Sequence, residues 1–139
     1  VSYLIDTNVL SELRRKAPEL SVVSWFEKRP PASLYLSVLT LGEIRKGIET
    51  LTDGKRKLVL RDWLDVDLPT FFTGRILAID GAVADRWGRI VAGAGRPVAA
   101  IESLLAATAV THDLILVTRN VKDFIAFPVT TINPWDPEA

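Results

Sequence analysis

The sequence predicts an α/β domain of three layers, with a mainly parallel sheet between helices, and two observations carry that expectation. Short apolar runs alternate with stretches of helical spacing along the whole chain, the pattern of strand–helix–strand units. The first run also ends on a carboxylate, Asp6, just ahead of a helix, which places an acid at the carboxyl rim where open parallel sheets collect ligands. At 139 residues, 48% of them hydrophobic, the chain is expected to form a single domain spanning 1–139, with no repeat or linker.

Tyr3-Leu4-Ile5 reads as the first buried strand. Thr7 and Asn8 follow as cap-type residues, and Val9, Leu10 and Leu13 fall at helical spacing. Pro18 suits the first turn of a second helix, whose apolar face is Leu20, Val23, Trp25 and Phe26 and which Arg29-Pro30-Pro31 stops. Leu34-Tyr35-Leu36 is the second strand. It leads through Ser37 and Thr40 into a helix carrying Leu41, Glu43, Ile44, Ile48 and Leu51. Asp53-Gly54 punctuates, with Asp53 expected to cap a long helix through Leu58, Leu60, Trp63 and Leu64. Ile76 to Ile79 is the third strand, after which Asp80 caps a helix closed by Gly93 and Gly95. Val98 to Ala109 is a helix apolar enough to be buried on most sides. Leu114 to Val117 is the fourth strand, and Val129 to Ile132 reads as an edge strand.

Composition removes several chemistries. There is no Cys and a single His, His112, so thiolate zinc sites, cysteine nucleophiles and His-rich metal centres are excluded. Any bound metal would rest on carboxylate oxygens, which favours Mg²⁺ or Mn²⁺. Lys and Arg together number 17, as do Asp and Glu, so no global basic field advertises duplex binding. Basic clusters are local, at Arg14-Arg15-Lys16, Arg45-Lys46 and Lys55-Arg56-Lys57. No run approaches the roughly 20 apolar residues of a membrane helix, and a cytoplasmic protein without membrane contact is the expectation.

Four acids stand out. Asp6 can be read as a helix N-cap or, at a strand exit, as a site residue. Glu43 sits in the apolar face formed by Leu39, Ile44 and Ile48. Glu102 is the only charged residue between Arg96 and His112, and an isolated buried carboxylate is costly unless it is paired or meets a cation. Asp123 follows the fourth strand across a turn containing Thr118, Arg119 and Asn120. Gathered together, these acids require a dication, which would in turn lower the pKa of a water and offset the charge of a phosphodiester. Arg45, Arg119 or the Lys55-Arg56-Lys57 cluster could hold flanking phosphates.

Four stretches in order, Leu4 to Glu12, Leu41 to Gly47, Ile101 to Ala109 and Val117 to Phe124, resemble the PIN-domain ribonucleases, specifically VapC-type toxins of the FitB-like branch. The resemblance implies a PIN-like fold with a short five-stranded sheet. It places the family's four metal-holding catalytic acids on Asp6, Glu43, Glu102 and Asp123, with Asn8 and Thr118 as the polar groups behind them. It further implies an Mg²⁺-dependent endoribonuclease acting on RNA, a homodimer, and neutralisation by a small cognate antitoxin through which alone the complex meets DNA. The family carries Asp where this chain has Glu102. That departure sustains an alternative, a catalytically weakened protein acting through assembly with an antitoxin. A phospho-aspartate phosphatase is disfavoured because position 8 is Asn8 rather than Asp.

Overall fold

The computed structural model describes residues 1–139. Its strands are β1 (Tyr3–Ile5), β2 (Leu34–Ser37), β3 (Ile76–Leu77), β4 (Ile115–Val117) and β5 (Thr131–Ile132). Helices α1 (Thr7–Leu13), α2 (Leu20–Glu27), α3 (Val38–Glu49), α4 (Lys55–Asp62) and α5 (Leu68–Phe71) precede α6 (Gly81–Ala94) and α7 (Ala100–Thr111). The five strands lie in the order β3-β2-β1-β4-β5, and every pairing is parallel. The first strand of the chain is therefore the middle one of the sheet, with Tyr3 opposite Leu34 on one side and Ile115 on the other.

Side chains alternate across a strand, so neighbours in β1 serve different cores. Ile5 joins Val9, Leu10, Trp25, Leu64 and Phe72 on one face. Leu4 joins Val83, Leu105, Leu116 and Phe124 on the other. The three layers follow from that division. Ala106, Ala107 and Ala109 of α7 are fully buried, their small side chains letting the helix lie close to its neighbours.

Several local expectations shift. Helix α2 begins at Leu20 with Glu19 as its cap residue, so Pro18 precedes the helix instead of opening it. Gly54, not Asp53, occupies the N-cap of α4, because Asp53 accepts a hydrogen bond from the Lys57 ammonium at 3.1 Å. The long helix expected beyond Asp53 is interrupted by a π-helical turn, Trp63–Asp67, and Pro69 lies in the first turn of the short α5. Strands β3 and β5 are two residues each, shorter than their apolar runs. Asp80 does cap α6, accepting from the Val83 N–H at 3.0 Å, and Gly95 ends that helix in the left-handed conformation.

Phe72 is the largest fully buried side chain, at 1% exposure, packed edge-on against Phe71. Phe72→Ala should cost about 3–5 kcal/mol by leaving a cavity the sheet cannot close. Urea denaturation followed by circular dichroism would read that loss as a lower midpoint at unchanged slope.

Candidate functional site

Where β1 gives way to α1 the chain reaches the first of the four candidate carboxylates. Asp6 caps α1, its Oδ1 accepting the Thr7 N–H at 2.7 Å, so the cap role and the rim position coincide. Its Oδ2 accepts the Thr118 hydroxyl at 2.8 Å and faces the Asn8 side-chain amide at 3.4 Å. Thr118 follows directly on β4, the strand beside β1, and is fully buried. That hydroxyl also accepts the Asn8 amide at 3.2 Å and the Asn120 N–H at 3.1 Å. The two residues expected behind the acids are thus bonded to each other as well as to Asp6.

Around Asp6 opens a hollow of about 590 Å³. Its walls include Glu43 from α3 and Glu102 from the first turn of α7, where the helix dipole favours an anion. Glu43 accepts the Thr7 hydroxyl at 2.7 Å, which ties α3 to the start of α1. Asp6 is 8% exposed, and burial pushes its carboxyl above the ordinary 3.8. Hydrogen bonds from Thr118 and Thr7 pull it back, while the charges of Glu43 and Glu102 push it up again. None of these three acids has a Lys or Arg within ion-pair reach.

Asp123 is not among them. It lies exposed on the 3₁₀ turn Val121–Phe124, which buries Phe124, and the hollow is lined by Asn120 in its stead. Arg45 is also directed elsewhere: it pairs with Glu49 at 3.6 Å and with Asp65 of the π-helical turn. The cations that do line the hollow are Arg15, Arg56 and Arg119. One of the three belongs to the Lys55-Arg56-Lys57 cluster, and Arg119 is where the sequence pointed.

Ser11 and Glu12 also line the hollow, and the sequence reading gave neither a role at the site. Ser11 and Glu12 stand three and four positions after Asn8 on α1 and so share its face, and that periodicity is the signal that finds them. Glu12 is buried beneath the rim, and the Glu19 N–H at 2.9 Å followed by Arg15 holds its carboxyl below the ordinary 4.5.

The two shifts have opposite consequences. A raised Asp6 makes the folded chain hold a proton that the unfolded chain releases, so stability is lost as pH rises from 3.8 through the folded value. A lowered Glu12 contributes stability above 4.5 that is lost as pH falls through its folded value. Melting temperatures measured against pH without divalent ions should show a shallower acid-side decline in Glu12→Gln, Glu49 supplying part of what remains, and a shallower decline above pH 3.8 in Asp6→Asn.

The donors gathered here are carboxylate, amide and hydroxyl oxygens, the set a hard dication takes. As the side chains stand, no three acids enclose an ion-sized space. Asp6 is nonetheless desolvated, crowded by two like charges and left without a cationic partner, a balance that a dication would restore.

A PIN-domain family model matches residues 3–128. The chain is 39% identical to Toxin FitB of Neisseria gonorrhoeae over 135 residues, covering 95% of this chain and 97% of that protein. It is 32% identical to VapC ribonuclease Y4jK of Sinorhizobium fredii over 137 residues, covering 96% and 98%. Among solved structures, that of FitAcB from Neisseria gonorrhoeae superposes with a TM-score of 0.90 at 39% identity, covering 96% of this chain and 98% of that one. FitAB bound to the IR36 DNA fragment gives the same TM-score at 37% identity, covering 96% of each chain.

Proposed function

The chain belongs to the PIN-domain family, and on that premise we propose that it is an endoribonuclease, the toxin of a type II toxin–antitoxin module. The observation that carries this reading is the hollow itself, where Asp6, Glu43 and Glu102 converge from three elements and none of them is in ion-pair contact with a Lys or Arg. Those three residues would hold Mg²⁺ or Mn²⁺, with Asn120 on the same wall and Asp123 on the neighbouring 3₁₀ turn. When bound, such an ion acidifies a water and offsets charge on the phosphodiester being cut. The chain's own groups do the remainder. Thr7 orients Glu43, Thr118 and Asn8 orient Asp6, and Arg15, Arg56 and Arg119 receive phosphates flanking the cut.

One solved relative, 27% identical, is a toxin–antitoxin complex from Klebsiella pneumoniae, and another, FitAB, is bound to a DNA fragment. By that likeness the present chain would pair with a small antitoxin and with a second copy of itself, and would meet DNA only through the antitoxin. Its balanced charge, 17 basic against 17 acidic residues, suits a toxin that has no affinity for duplex by itself.

Purified protein incubated with structured RNAs should cleave them in Mg²⁺ or Mn²⁺ and stop in EDTA. Cleavage indifferent to chelation would refute metal dependence; no cleavage of any RNA in either ion would refute the enzyme. Glu102 sustains one second reading, a weakened nuclease whose role is assembly with the antitoxin. A large gain of cleavage in Glu102→Asp would favour it, because the shorter side chain restores the family's acid at that position.

A further inference from the structure

The rim of the hollow carries a second device that the acids do not use. The Arg119 guanidinium lies over the Trp135 indole, 4.9 Å from the ring centre, and both residues line the hollow. Arg119 is exposed and has no carboxylate within ion-pair reach, whereas Arg15 on the same rim is paired with Glu12 at 3.2 Å. Trp135 is half-buried against the core that contains Ile5 and Val117, so it gives Arg119 a firm backing. The pair is also fixed relative to the acids. The Arg119 N–H donates to the Asn8 Oδ1 at 3.2 Å, and the amide of that same Asn8 faces Asp6.

We propose that Arg119 and Trp135 form a nucleobase platform, on which an unpaired base of the RNA stacks while the guanidinium edge takes an adjoining phosphate. This rests on the ribonuclease reading and deepens it by assigning to these two residues the holding of an unpaired base at the rim, on a pair whose position is fixed relative to Asp6. A guanidinium plane and an indole both offer a flat, polarisable face to a base. A base inside a duplex has both faces occupied and gains nothing from such a platform.

The test uses the full chain and short fluorescent oligoribonucleotides made resistant to cleavage, one single-stranded and one the matching duplex. Affinities are measured at one salt concentration for the wild type, Trp135→Leu, Trp135→Phe and Arg119→Lys, beside their melting temperatures. Loss of one stacked base is expected to weaken single-strand binding roughly 5- to 100-fold in Trp135→Leu. Trp135→Phe should recover most of it. Arg119→Lys, which keeps the charge but not the plane, should lose a similar factor. On a cleavable strand the loss should fall on KM in preference to kcat. Wild-type affinity for the single strand in both Trp135→Leu and Arg119→Lys overturns the platform, as does an equal loss on strand and duplex. Should Trp135→Leu fail to fold, Arg119→Lys decides by the same criterion. A wild type that cleaves RNA while these variants bind normally overturns the platform alone; a wild type that neither binds nor cleaves overturns the ribonuclease reading.

Discussion

Asp6→Asn is expected to lower RNA cleavage by at least about 100-fold, the upper end of what removing a group that merely orients a metal-holding side chain costs. The substitution changes charge with almost no change of shape. An Asn oxygen can still accept the Thr7 N–H that Asp6 accepts at 2.7 Å, so the cap of α1 survives. What disappears is the anion at the centre of the hollow, one of the four carboxylates that line it. A second readout separates this from damage to the fold. Mg²⁺ should raise the melting temperature of the wild type, by a stabilisation of about 2.7 kcal/mol at a hundredfold excess over Kd, and leave Asp6→Asn unmoved. Retained cleavage together with a retained Mg²⁺ shift would remove Asp6 from the centre of the mechanism.

Thr118→Val should produce the second large effect, from a residue that touches no substrate. Its hydroxyl donates to Asp6 at 2.8 Å and accepts from Asn8 and from the Asn120 N–H. Valine fills the same volume with no hydroxyl, so Asn8 and the Asn120 N–H lose an acceptor and buried Asp6 loses a donor. The expected destabilisation is about 1–3 kcal/mol. Asp6 loses a bond that lowers its pKa, so its carboxyl moves further up and holds a dication less readily. Mg²⁺ affinity, read from the thermal shift, should fall roughly 10- to 100-fold. Thr118→Ser should restore both quantities. A valine variant with wild-type stability and wild-type Mg²⁺ response would show that the hydroxyl is incidental.

The sheet was legible because its strands are short apolar runs between helices of clear period, and Asp6 was legible because an acid ends the first of them. Glu43 and Glu102 could be found as charges on otherwise apolar helix faces, and both line the hollow. Asp123 could not be placed by spacing alone. It falls on a 3₁₀ turn that buries Phe124, and it is not among the residues lining the hollow. Arg45 was equally opaque, since its partner Asp65 is delivered by a π-helical turn that no periodicity announces. Trp135 belongs to the site only because β5 pairs with β4, a long-range fact with no local trace.

The position of β1 bears on synthesis. Asp6 is bonded to Thr118, 112 residues later, and β1 is flanked on one side by β4. A nascent chain that has emerged only through α6 carries Asp6 and Glu43 but has neither Thr118 to orient the first nor Glu102 to complete the hollow. Pairings this distant also form late in folding. The hollow is therefore assembled only after α7 and Thr118 have emerged, and fragments that stop at α6 lack both Glu102 and the bond that orients Asp6.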